Sequence, residues 1–155
     1  VYLVKGGAFE AVPRFGEMGP DALAEELTEE VFRGRLRRFR GQIKSVVLNE
    51  TCVAGIGNAY ADEILSAAGL HPYRKRTELT ADDEGRLYRA IRSVLSDAAA
   101  IVSERMEAQG LPVDEYRDHL KVHRRGGQPC PNCGSSITEI TAGQRITNFC
   151  RRCQP

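Results

Sequence analysis

"CVAGIGNAYADEI", Cys52 to Ile64, decides how the chain is read. Gly55 and Gly57 stand one residue apart, Asn58 follows, and a helix-like run begins. Glycine permits tight turns and close approach of a backbone to a ligand. A helix start exposes unpaired N–H groups and a partial positive charge, which suit a phosphate. Asn58 is a competent N-cap, so its side chain either closes its own helix or turns outward as a further donor. Lys44, about one turn into the preceding helical segment, is placed to supply a neutralising charge. "GIGN" ahead of a helix therefore has the parts of a phosphate clamp. Asp62 and Glu63 fall in the first turn, where the helix dipole favours carboxylates, and need no catalytic role.

Helical segments surround this element. "MGPDALAEELTEEVFRGRLRRFRG" reads as two short helices, with Pro20 in a first turn, Thr28 as N-cap, and Val31, Leu36 and Phe39 turned inward. "QIKSVVLNE" reads as a third, apolar at Ile43, Val46 and Val47. The glycine segment then opens a helix from about Ala59 to Ala68, stopped by Gly69 and Pro72. The longest helix follows. Thr80 and Asp83 form a capping-box pattern at its start, and Leu87, Ile91, Val94, Leu95, Ala98, Ile101 and Val102 keep the helical period. At the other end of the chain, "VYLV", "KGG" and "AFEAV" read as strand, turn and strand, and a lone hairpin is marginal in water.

The last segment carries Cys130-x-x-Cys133 and, after sixteen intervening residues, Cys150-x-x-Cys153. Each pair supplies two thiolates within reach of one tetrahedral ion, and two strand-like runs with an Ala142-Gly143-Gln144 turn lie between them. This is the pattern of a zinc ribbon. Four Cys ligands leave no open position, so a single structural Zn2+ is expected. Arg145 sits just past the turn, where a rigid hairpin can present its guanidinium to a phosphate. Thr147 and Asn148 can add neutral hydrogen bonds, and Arg151 and Arg152 read equally well as solvent-facing. Cys52 stands beside Val53 and Ala54 and reads as a buried, inert thiol.

Composition adds bounds. The chain has 155 residues and a net charge of +1, enough for one large domain or two small ones. Charge is segregated: residues 1–32 hold two basic and seven acidic residues, whereas residues 33–44 hold six basic and none acidic. Residues 117–155 hold seven basic against two acidic. Two separated basic segments fit either a localised polyanion-binding face or solvated helix faces. No apolar run approaches the roughly 20 residues needed to span a membrane, so no membrane partner is expected, and a cytoplasmic, nucleoid-associated location is the default.

"IKSVVLNETCVAGIGNAYADEILSAAGLHP" resembles the helix–two-turn–helix element of the formamidopyrimidine-DNA glycosylase and endonuclease VIII family, and "PCPNCG…GQRITNFCRRCQ" resembles that family's zinc finger. "GPDALAEELT" and "RLYRAIRSVL" also match, so the resemblance covers nearly the whole chain. It implies a mainly α fold: a helix–two-turn–helix bundle over residues 20–125, then a small β-hairpin zinc ribbon over 126–155. Residues 1–19 would be the remnant of an N-terminal β-sandwich and a linker.

The resemblance further implies base excision repair. The family removes an oxidised base and then nicks the abasic strand, after flipping the lesion out of the duplex. Lys44, Gly57, Asn58 and Arg145 match its phosphate-gripping positions, and Cys130, Cys133, Cys150 and Cys153 its zinc ligands. The partner would be double-stranded DNA with an abasic site or oxidised base, bound by a monomer. The family's nucleophile is an N-terminal proline amine followed by a glutamate; Pro13 is not that proline, and no catalytic residue is expected in this chain. The Gly- and Thr-rich stretch that usually follows the long helix is replaced by "SERMEAQGLPVDEYRDHL". The alternative is a non-catalytic nucleic-acid-binding module, for RNA or DNA, with a structural zinc ribbon. A third reading makes the ribbon a protein-docking site.

Overall fold

The computed structural model describes residues 5–6, 12–13, 15–109 and 117–155. The expected hairpin over Val1–Val12 lies outside the described residues. Among the described residues the main elements are four α-helices and one two-stranded sheet, α1 (Glu29–Leu36), α2 (Ile43–Val47), α3 (Asn58–Ala68), α4 (Ala81–Gln109), β1 (Thr138–Ala142) and β2 (Arg145–Phe149), with short 3-10 turns at Phe15–Glu17 and Arg76–Glu78. No helix among the described residues is long and apolar enough to cross a membrane.

Of the two helices expected before Gly41, only α1 forms. Residues 20–27 make turns instead. The Asp21 carboxylate accepts the Leu23 N–H at 2.8 Å. Ala54 accepts the Ala22 N–H and donates its own N–H to the Pro20 carbonyl, both at 3.0 Å, across an isolated parallel bridge between Asp21 and Ala54. A side chain that satisfies local N–H groups competes with a helix start. Thr28 caps α1, accepting from the Val31 N–H at 3.2 Å. That start sets the register: Phe32 and Leu36, four residues apart, are buried, while Val31 is 42% exposed.

The core lies between α2, α3 and the first half of α4, with Ile43, Val46, Ile64, Leu65, Leu87 and Ile91 all buried. α3 closes on Gly69, whose φ of 66° is the left-handed conformation a helix stop of this kind requires. The ribbon has a separate, smaller core of Val122, Cys130, Ile137 and Cys150. Its strands pair antiparallel, Ala142 opposite Arg145, around Gly143 with φ 60°.

The capping box of α4 is complete. Thr80 N–H donates to Asp83 Oδ2 at 2.9 Å, and Asp83 N–H donates to the Thr80 hydroxyl at 3.1 Å. Burial works to raise the Asp83 pKa, but the Thr80 bonds and the guanidinium groups of Arg74 and Arg86 prevail and hold it below its ordinary value. A depressed carboxylate contributes stability that is present above its unfolded value, about 4, and is lost as pH falls through the lower folded value. Asp83→Asn should therefore cost about 1–2 kcal/mol in urea unfolding at pH 7. The gap to the native chain should shrink progressively on acidification below pH ~4; a gap independent of pH would refute the assignment.

Candidate nucleic-acid interface and zinc centre

α2 and α3 each present one end to the ribbon, and a buried polar cluster joins all three. The Lys44 ammonium donates to Asp62 Oδ1 at 2.6 Å, to the Ile146 carbonyl at 2.9 Å and to the Thr147 hydroxyl at 2.9 Å. Those three bonds use its three hydrogens, and the side chain is only 7% exposed. Asn58 is the first residue of α3; Gly57 holds the N-cap position. The Asn58 side chain does not cap its own helix. Its Nδ2 donates to the same Ile146 carbonyl at 3.0 Å, and one carbonyl thus receives both Lys44 and Asn58.

Asp62 lies one turn below Asn58 on α3 and is fully buried. Its second oxygen accepts the Asn148 N–H at 3.1 Å and lies 2.7 Å from His123 Nδ1. The neighbouring Glu63 accepts three backbone N–H groups, from Lys121, Val122 and His123, at 3.0, 2.8 and 2.8 Å. These carboxylates tie the helix to the segment leading into the ribbon. Asn148 completes the lattice. Its Oδ1 accepts the Arg124 N–H at 2.8 Å, and its Nδ2 donates to Glu139 at 2.9 Å. Thr147 therefore turns its hydroxyl to Lys44 of α2, whereas the buried Asn148 side chain turns to the connecting segment and to β1. Arg124 has φ 57°, a left-handed value for a side-chain-bearing residue, held by that bond to Asn148.

Above the cluster, an open cleft of about 480 Å³ is lined by Gly57, Asn58, Ala59 and Tyr60 at the α3 start, with Arg117, His123 and Arg124 around it. Arg145 stands at the first position of β2, exposed and with no ion pair among the described residues. The two glycines of the turn differ in their reasons. Gly55 has φ 90°, and a Cβ there would lie 3.1 Å from the Asp21 carboxylate. Gly57 has an ordinary φ of −86°, and a Cβ there would meet nothing within 4 Å.

The first basic segment is largely engaged within the molecule. Arg33 and Arg37 pair with Glu29 and Glu84, and Arg35 donates to the carbonyls of Thr51 and Cys52. Arg38 and Arg40 are exposed. Cys52 is buried, which pushes its thiol up to about 11 against the opposing pull of Arg35, so it is an inert core thiol. Burial and the adjacent Glu63 likewise raise the Tyr60 phenol, against a smaller effect of Arg117.

At the ribbon base, the sulfurs of Cys130, Cys133, Cys150 and Cys153 all lie within 4.8 Å of one another. Cys130 and Cys153 Sγ are 3.9 Å apart, and Cys133 and Cys150 Sγ 3.5 Å. A zinc tetrahedron with sulfur at about 2.3 Å has edges near 3.8 Å, so the donor set fits one zinc ion with no open position. Each knuckle is closed by backbone bonds: Gly134 N–H to the Cys130 carbonyl at 2.8 Å, Gln154 N–H to the Cys150 carbonyl at 2.9 Å. The ribbon docks through Phe149, edge-on to His71 with ring centroids 4.7 Å apart, and through buried Gln154, which donates to the Leu70 carbonyl at 2.8 Å.

A helix–two-turn–helix module with a docked four-thiolate ribbon defines the class. The family profile described as the formamidopyrimidine-DNA glycosylase H2TH domain matches residues 18–109, and that described as the zinc finger found in FPG and IleRS matches residues 127–155. The chain belongs to the formamidopyrimidine-DNA glycosylase family. It is 41% identical to the formamidopyrimidine-DNA glycosylase of Deinococcus radiodurans, an alignment spanning 100% of this chain and 57% of that protein. The Symbiobacterium thermophilum protein of the same name is 39% identical over 99% of this chain and 52% of its own length. The chain thus spans just over half the length of these relatives. The crystal structure of MutM (Fpg) from Thermus thermophilus superposes with a TM-score of 0.84 at 34% identity, covering 97% of this chain and 59% of that one. The complex of Lactococcus lactis Fpg with DNA containing an abasic site gives 0.77 at 30% identity, covering 94% and 55%.

Sequence reasoning placed Asp62 and Glu63 in the first turn as dipole-favoured carboxylates; because α3 begins at Asn58 its first turn holds no acidic residue, and both lie one turn further on, engaged with the ribbon and its connecting segment. It gave no role to His123, Glu139 or Gln154. A signal for Asp62 was present: it lies four residues after Asn58, on the same helix face. Nothing local distinguishes Glu63, whose partners lie 58 to 60 residues away.

Proposed function

We propose that this chain is the DNA-binding half of a bifunctional DNA glycosylase and AP lyase that acts on oxidised bases in base excision repair. On this reading residues 20–125 and 126–155 are two prongs that grip neighbouring phosphates of one strand. The observation that carries it is the shared Ile146 carbonyl, which joins Asn58 at the tip of α3 to the strand that begins with Arg145. One N–H of Asn58 is used there, leaving the other for a ligand. Free N–H groups at the α3 start and the cations around the cleft favour an anion. Gly57 is a glycine that neither backbone nor packing demands, which fits a surface left clear for a close-lying sugar–phosphate chain. Lys44 was expected to grip a phosphate; with its three hydrogens spent on Asp62, Ile146 and Thr147 it instead braces α2 against β2 beneath the grip. The partner is duplex DNA with an abasic site or oxidised base, bound by a monomer in the nucleoid-associated cytoplasm. Solved structures similar to this chain hold Lactococcus lactis Fpg with DNA containing an abasic site, THF or FAPY-dG, which supports the partner class.

Fluorescence anisotropy with a duplex carrying a tetrahydrofuran abasic analogue tests this, beside an undamaged duplex and a structured RNA. Asn58→Ala and Arg145→Ala should each weaken binding to the abasic duplex. Arg145→Ala should also lower the slope of log affinity against log salt by about 0.9, the loss of one phosphate contact. Unchanged affinity and slope in both variants, or tighter binding to the RNA, would refute the proposal.

A further inference from the structure

We infer that Asp62 is a positioning residue that couples the two prongs, setting where Arg145 stands relative to the tip of α3; the inference rests on the DNA-binding reading above. Asp62 has no exposed side-chain surface and cannot itself touch DNA. Its carboxylate nevertheless reaches every element on which the grip depends. One oxygen holds Lys44 of α2 at 2.6 Å; the other holds the Asn148 N–H of β2 at 3.1 Å and His123 of the connecting segment at 2.7 Å. Lys44, held in turn, donates to the carbonyl of Ile146, the residue next to Arg145. Two short links therefore run from Asp62 to β2, one through Lys44 to Ile146 beside Arg145 and one directly to Asn148 farther along the strand. The bonds that Asp62 and Lys44 make to β2 involve charged groups, the stronger kind of hydrogen bond, whereas Asn58 adds a neutral one to the Ile146 carbonyl. The apolar alternative is limited, because Phe149 docks three residues from Ile146 and fixes the far end of the strand rather than its start.

A double-mutant cycle separates positioning from general destabilisation. The chain is prepared zinc-loaded, and binding to the abasic-analogue duplex is measured for Asp62→Asn, Arg145→Ala and both together. Asp62→Asn keeps the shape and one acceptor oxygen but removes the charge. Expected is about a tenfold loss of affinity and a lower salt slope, with zinc content unchanged and little further loss in the Arg145→Ala background. Losses that simply add would overturn the inference, since a residue acting through Arg145 has nothing to position once that guanidinium is gone. So would native affinity in Asp62→Asn. If Asp62→Asn does not fold, the paired variant Lys44→Met with Asp62→Asn, which leaves no lone buried charge, takes its place in the same cycle with the same two overturning results. Failure of the DNA-binding reading looks different: Arg145→Ala alone then binds as the native chain does.

Discussion

Removing zinc from the four-thiolate site is expected to unfold residues 127–155 while α1 to α4 persist. The two hydrophobic clusters are separate, and apart from its cysteines the ribbon's own core contains only Val122 and Ile137. So small an apolar core cannot by itself offset the ordering of the ribbon's backbone and side chains. Zinc binding to comparable peptides supplies roughly 10–16 kcal/mol at neutral pH, which makes the metal the dominant contributor. Treatment with a strong chelator should leave the helical circular dichroism largely intact. It should open the Arg145 and Arg151 peptide bonds to trypsin and abolish binding to the abasic-analogue duplex. Cys150→Ser should behave in the same way without chelator. A zinc-free chain whose hairpin stays protease-resistant would show that the ribbon core suffices alone.

Lys44→Ala is expected to destabilise the chain by about 3–5 kcal/mol, because it strands the buried Asp62 carboxylate without its counter-ion. The substitution also removes the donor that spans from α2 to Ile146 and Thr147. Urea unfolding followed by circular dichroism reads the effect directly. Lys44→Met combined with Asp62→Asn should restore most of the loss, since neither charge then remains to be desolvated. A loss below ~1 kcal/mol for Lys44→Ala would place the pair in the range of solvent-exposed ion pairs and contradict its burial. Any weakening of DNA binding that survives in the stable double variant, whose net charge is that of the native chain, reflects the missing clasp to β2 rather than unfolding.

The helices and the metal site were legible because their signals are local. Periodicity placed α4, Gly69 placed the end of α3, and cysteine spacing placed the ribbon. The region before Thr28 was not, because Asp21 bonds Leu23 while the adjoining backbone pairs with Ala54, a partner far along the chain. The candidate site was legible as residue types and not as geometry. "GIGN" announced Asn58, yet whether that side chain would cap its helix was undecided; in the structure Gly57 takes the N-cap position and Asn58 donates to the Ile146 carbonyl 88 residues away. Asp62 and Glu63 looked like ordinary first-turn carboxylates. Their burial follows from the ribbon's docking, which no window around residue 62 contains.

The clasp that joins the two modules has a built-in order of assembly. Lys44 meets Asp62 across 18 residues, but meets Thr147 across 103. Closing the shorter loop costs less entropy and becomes possible as soon as α3 has left the ribosome. The helical half can thus stand ready, its charged pair already matched, before the last cysteines are synthesised. Metal capture then delivers a finished hairpin to a waiting seat, and a cell short of zinc would accumulate chains that are half built yet compact.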